Sequence, residues 1–183
     1  GAFGALGHGI NDVDTALLMP LEEGTILPAT VVGVNKGQAG TPGQLKGSFD
    51  SSGFLGSLQA NTSSGIFGQL ENVNWADGQA VEVAQSSQVH TGKATILSNI
   101  SGDQVEEYEI EIVKIFPDSQ QDGRDYLITV TDQRLLETTG GIVQGMSGSP
   151  ILQDGRFIGA VTHVLINDPS CGYGISAQRM LSA

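Results

Sequence analysis

Between Glu107 and Ile112, three carboxylates (Glu107, Glu109, Glu111) alternate with Tyr108, Ile110 and Ile112, and the run continues to Ile115. Side chains of a strand point to opposite faces in turn, so Glu107 to Ile115 reads as a strand with one wet face and one buried face. Three carboxylates at that spacing would also suit a cation, but a solvated strand face accounts for them without one. Shorter segments follow the same logic: Glu23 to Asn35 (interrupted by Pro28), Gly65 to Leu70, Ala80 to Gln85, Tyr126 to Thr131 and Phe157 to Ile166 read as strands. Asp50 to Ser64, rich in Ser, Gly and Asn, reads as a long surface loop, and only Ala177 to Leu181 reads as helix. Glycine supports this, with 26 of 183 residues and no period, about twice the usual share. The chain is therefore expected to be all-β, a sandwich or barrel with a short C-terminal helix.

Charge narrows the partners. Eight Lys and Arg against 20 Asp and Glu give a net charge of −12, so the basic footprint that nucleic acid or an anionic membrane requires is missing. No apolar run approaches the ~18 residues of a membrane helix, and direct insertion by this domain is not expected. A single cysteine, Cys171, rules out an internal disulfide or a cysteine metal cluster. No metal or cofactor is called for. Residues 1–183 read as one domain, and the start at Gly1 without Met suggests a piece of a longer protein.

The chemistry concentrates in Gly145-Met146-Ser147-Gly148-Ser149-Pro150. A serine hydroxyl is a weak nucleophile that needs a base beside it and donors for the developing oxyanion. Glycines on both sides let the backbone turn tightly, so that the N–H groups of Gly145 and Ser147 converge on one point. Pro150 then opens a strand, Asp154-Gly155 turns it, and Gly159-Ala160-Val161-Thr162 returns. This succession resembles the chymotrypsin-like serine proteases, which implies a double β-barrel. Histidine precedes aspartate and serine in that order, so His8 and His90 qualify as base and His163 does not. The glycines around His8 favour it. The strand beginning at Thr162, 15 residues after Ser147, would pair with substrate through Thr162, His163 and Val164, with His163 beside a specificity pocket.

A longer match is more specific. Gly140-Gly141-Ile142-Val143-Gln144-Gly145-Met146-Ser147-Gly148-Ser149-Pro150-Ile151 resembles the signature of the stage IV sporulation protein B peptidases. So do Leu6-Gly7-His8-Gly9-Ile10, Thr131-Asp132-Gln133-Arg134-Leu135-Leu136 and the run from Gly155 to Gly174. The resemblance implies a sporulation signalling serine endopeptidase with His8, Asp132 and Ser147 as its triad. It implies an extracytoplasmic site of action between forespore and mother cell, and a PDZ domain and export or anchor segment ahead of the peptidase. The implied partners are a membrane-bound regulator, cut so that the late mother-cell sigma factor precursor is processed, and the enzyme itself. Asp132 lies only 15 residues before Ser147, closer than the wider chymotrypsin class places its acid; Asp50, 42 residues after His8, keeps the more usual spacing. Asp12 and Asp14 suit a turn better. The competing reading is a catalytically silent protease fold that binds a peptide by strand addition.

Overall fold

A computed structural model describes residues 1–71, 78–116 and 122–183. The first half contributes β1 (Ala2–Ala5), β2 (Thr25–Ile26), β3 (Ala29–Asn35), β4 (Gln44–Phe49), β5 (Gly56–Thr62) and β6 (Gly65–Leu70). The second contributes β7 (Gly92–Ser101), β8 (Gln104–Ile115), β9 (Tyr126–Val130), α1 (Gln133–Thr139), β10 (Pro150–Gln153), β11 (Arg156–Leu165), β12 (Asp168–Ser176) and α2 (Ala177–Leu181).

The two halves are built differently. β7 to β12 form a closed antiparallel barrel in the order β10-β11-β12-β9-β8-β7, shut where Ile151 of β10 faces Ile96 of β7. The first half is a four-stranded sheet, β1-β6-β5-β2, beside a separate β3–β4 ribbon, so among the described residues it does not close. The ribbon is tied to the other half: Leu45 N–H donates to Gln144 O (2.8 Å) and Gln144 N–H to Gly43 O (2.9 Å).

The alternation in β8 drives the barrel. Tyr108, Ile110 and Ile112 are buried with Ile96, Ile128, Ile151, Ile158 and Val161, while Glu107, Glu109 and Glu111 face solvent. The hairpin after the serine turns at Asp154 (φ 51°) and Gly155 (φ 73°). Both residues being left-handed matches the twist of the strands they join. The tail helix forms as expected, capped where Ser176 accepts from Arg179 N–H.

Three expectations need correction. Within Asp50 to Ser64, residues 56–62 form β5, paired to β6 from Gly56↔Leu70 to Thr62↔Gly65. Its polar side chains hide a strand whose stability comes from a neighbouring chain segment. Ala80 to Gln85 is not a strand; one parallel bridge, Val83 to Phe157, holds it, and Val81 and Val83 are exposed. Gln133 to Thr139 is a helix the sequence reading left out, started by Asp132 and anchored by the fully buried Leu135.

Tyr108 offers a stability test. Burial, and then the hydrogen bond its hydroxyl donates to Glu106 (2.9 Å), push its pKa up to about 12. The folded state thus favours the neutral phenol, and that contribution is complete below the unfolded value, near 10. Stability should fall between pH 10 and pH 12, and Tyr108→Phe should flatten that limb of a denaturation-versus-pH profile.

Candidate active site

Ser147 sits on a loop whose shape depends on two glycines, Gly145 (φ 99°) and Gly148 (φ 87°). A Cβ at Gly148 would lie 2.7 Å from Leu6 N, so the end of β1 rests directly on this loop. The loop closes on itself through Met146 N–H to Val143 O (3.1 Å) and Ser149 N–H to Met146 O (3.0 Å). It is tied to β11 by Gly148 N–H to Val161 O (2.8 Å). Among the described residues, the N–H groups of Gly145 and Ser147 have no acceptor. Gly145 is exposed and Ser147 half-buried, so these donors are open to an incoming oxygen. Two unpaired backbone donors beside a serine hydroxyl are what an oxyanion requires.

His8 reaches the same place from β1. Leu6 (φ 67°) and Gly7 (φ 71°) turn the chain, and a Cβ on Gly7 would sit 2.9 Å from side-chain carbons of Thr162 and Ile175. Only glycine fits both the backbone angle and that gap. The turn delivers the His8 ring to 5.5 Å from the His163 ring, centroid to centroid. His8 Nδ1 lies 2.9 Å from Gly9 O. With the Nδ1 proton given to that carbonyl, Nε2 is left as the acceptor, the tautomer a general base needs. The Ser147 hydroxyl donates to Thr162 O (3.1 Å), so the hydroxyl must rotate away from this carbonyl before a base takes its proton.

The structure brings Ser147, Thr162, His163 and Val164 around one cleft, with the His8 ring beside that of His163 and no hydrogen bond between His8 and Ser147. Thr162 Oγ1 lies 3.1 Å from Gly123 O and 3.2 Å from Tyr173 O, which fixes β11 at this level. Beyond the Pro150↔Ala160 pair β10 ends, while His163 and Val164 remain paired to Tyr173 and Gly172 of β12 on their other edge. A cleft of about 280 Å³ opens along the freed edge, lined by Ser147, Thr162, His163 and Val164 with Ile142 and Ile166. Burial, then His8 and Arg124, hold the His163 pKa below the usual imidazole value. Its Nδ1 is shielded and has no hydrogen-bond partner among the described residues.

The remaining candidates lie elsewhere. Asp132 is the N-cap of α1: Oδ1 accepts from Arg134 N–H (2.9 Å), and Oδ2 accepts from Arg134 Nη2 (2.9 Å) and Glu109 N–H (3.2 Å). The Arg134 guanidinium holds its carboxyl below the usual range. Leu127 of β9 is level with Tyr173 and hence with His163. Asp132 lies five residues further along the same direction, past the end of β9 at the start of α1. It has no hydrogen bond to His8. Asp50 accepts from Ser52 in its own turn, and Asp12 from Thr15 in its own. His90 does have a carboxylate, Asp154 at 2.8 Å, but both are exposed at the β10–β11 turn, away from Ser147. Sequence reasoning missed the Gly9 carbonyl and the Leu6–Gly7 turn, whose meaning depends on what packs against them.

A closed antiparallel barrel carrying a glycine-bracketed serine, with two free N–H donors and a histidine brought in by the preceding sheet, defines a chymotrypsin-like serine peptidase. Two solved structures share the fold: the inactive form of the Rv3671c protease (TM-score 0.50, 16% identity, 77% of this chain and 70% of that one), and a serine-to-alanine mutant of Rv3671c from M. tuberculosis H37Rv, also inactive (TM-score 0.52, 15% identity, 87% and 77%). No curated protein matches the chain significantly. The chain belongs to the SpoIVB peptidase S55 family, whose model matches residues 1–181.

Proposed function

We propose that this chain is a serine endopeptidase in which Ser147 attacks the peptide carbonyl and His8 takes and returns the proton. The N–H groups of Gly145 and Ser147 receive the oxyanion, and the substrate backbone lies along the free edge of Thr162 to Val164. The observation that carries this reading is the pair of unpaired, solvent-open donors at Gly145 and Ser147. Family membership supports the finer role: a sporulation signalling protease acting outside the cytoplasm, between forespore and mother cell, that cuts a membrane-bound regulator and itself. No helix among the described residues is long and apolar enough to cross a membrane. A fluorophosphonate probe should label the chain once per molecule at Ser147. No labelling would favour the silent peptide-binding fold, in which the bond from Ser147 to Thr162 O is permanent.

The resemblance gives Asp132 the task of orienting His8; its hydrogen bonds favour a different task, holding the start of α1, whose end leads through residues 140–146 into the serine loop. We assign it the second. Asp132→Ala should then lower stability by about 1–2 kcal/mol, the usual cost of a lost cap, and activity should fall with it. Asn caps as well as Asp, so Asp132→Asn should stay within about tenfold of wild-type kcat. A fall near 10⁴-fold in a fully folded Asn variant, the size seen in trypsin, would return Asp132 to the orienting role. Thermal melts run alongside peptide kinetics separate the two.

A further inference from the structure

The serine loop has space on both sides. On the Ser147 side lies the 280 Å³ cleft beside β11. On the other side Gly145 borders a separate groove of about 550 Å³, between the β3–β4 ribbon and the barrel strands β7 and β8. Its lining includes Val31, Leu45, Phe49, Leu97 and Val105 and no charged side chain. That is unusual on a chain of net charge −12. Phe49 of β4 and Val105 of β8 are 72% and 64% exposed, large apolar groups held in water on the two sides of the groove.

We infer that this groove binds the part of the substrate that follows the scissile bond, and that it selects apolar side chains there. The inference rests on the endopeptidase reading. If the acyl half of the substrate lies along Thr162 to Val164, its reacting carbonyl carbon is at Ser147 and its oxygen is between the two free N–H groups. The peptide must then continue past Gly145, away from β11. The groove opens at that residue, and Gly145 has no side chain to block the path. Bulky apolar side chains two or three residues beyond the cleaved bond would cover Phe49 and Val105, removing exposed apolar surface from water. The substrate class is therefore a peptide segment with an apolar stretch just after its cleavage site.

Two kinds of substrate test this on the 183-residue chain. One is a set of internally quenched peptides sharing the best-cleaved acyl half from a library, with Leu or Asp at the second and third positions after the cleaved bond. The other is a coumarylamide of the same acyl half, which has only the aminocoumarin leaving group after that bond and nothing at the second and third positions. Wild type should cleave the Leu peptide with higher kcat/KM than the Asp peptide. Phe49→Ser should reduce that preference by about tenfold, the scale of one apolar contact, and leave the coumarylamide unchanged. Val105→Thr should act in the same direction, and its exposed site protects the fold. The inference is overturned if the Leu preference survives in Phe49→Ser, or if the coumarylamide falls in parallel. It is also overturned if the variant alters only concentration-dependent sedimentation, which would make the groove a contact between copies. Failure of wild type to cleave either substrate or take a fluorophosphonate label would instead sink the endopeptidase reading itself.

Discussion

Ser147→Ala is expected to lower kcat by 10⁴-fold or more while the protein stays folded. The kinetic part follows from chemistry: without the hydroxyl no acyl-enzyme forms, and what survives is the contribution of the oxyanion donors and of binding. The structural part follows from the surroundings. Ser147 is half-buried and its hydroxyl makes one hydrogen bond, to Thr162 O at 3.1 Å. Losing such a bond costs about 1 kcal/mol. The loop itself is held by backbone bonds from Met146, Gly148 and Ser149, none of which uses the serine side chain. Ser149 is the control. It is buried and its hydroxyl meets Ser98 Oγ at 3.2 Å, on the side of the loop that faces the groove beside Gly145 rather than the Ser147 cleft. Ser149→Ala should therefore leave kcat near wild type, and any loss should appear in the melting temperature. Inactivity of Ser149→Ala beside an active Ser147→Ala would reverse the assignment of the nucleophile.

The second large effect concerns the base. His8→Ala should lower kcat by about 10²–10⁴-fold, the range that general acid–base catalysis contributes, and the pH dependence of the remaining activity should lose its ascending limb. His90→Ala should leave kcat unchanged, although His90 has the carboxylate partner and His8 does not. The Thr91 carbonyl and then Asp154 raise the His90 pKa, but this pair sits at the β10–β11 turn, away from Ser147. The rings of His8 and His163 are neighbours, and the lowered pKa of His163 keeps it neutral where His8 must work. A His90→Ala variant as impaired as His8→Ala would show that the base comes from the other end of the barrel. Paired kcat–pH profiles of the two variants make the comparison.

What could be read from the sequence was whatever local pattern decides. The Glu107 to Ile112 alternation, the Asp154-Gly155 turn, the tail helix and the serine loop all keep their meaning without knowledge of the neighbours, and each is found where expected. β5 was hidden because its Ser, Gln and Asn side chains resemble a loop until β6 is laid beside it. The apolar residues of Ala80 to Gln85 suggested a strand, but they form a single bridge, Ala84 N–H to Phe157 O and Phe157 N–H to Glu82 O on either side of Val83. α1 is seven residues long and ends in two threonines, too short for a helical period to stand out, and its cap, Asp132, carried a competing assignment from the family motif. How the described strands of the first half pair, as a four-stranded sheet beside a separate ribbon, depends on which strands find partners, and the chain marks no edge. At the site, order along the chain selected His8 and Ser147, whereas the Gly9 carbonyl, the freed edge of β11 and the groove beside Gly145 exist only once the barrel has closed.

The central claim is that Ser147, the two open N–H groups and the β11 edge form one reacting centre. The most direct measurement is a crystal structure of the chain soaked with a peptide aldehyde. The account predicts a covalent hemiacetal on Ser147 Oγ, with its oxygen within hydrogen-bond distance of Gly145 N and Ser147 N and the inhibitor backbone paired to Thr162 through Val164. An adduct on another residue, or one on Ser147 whose oxygen points away from both N–H groups, would contradict it.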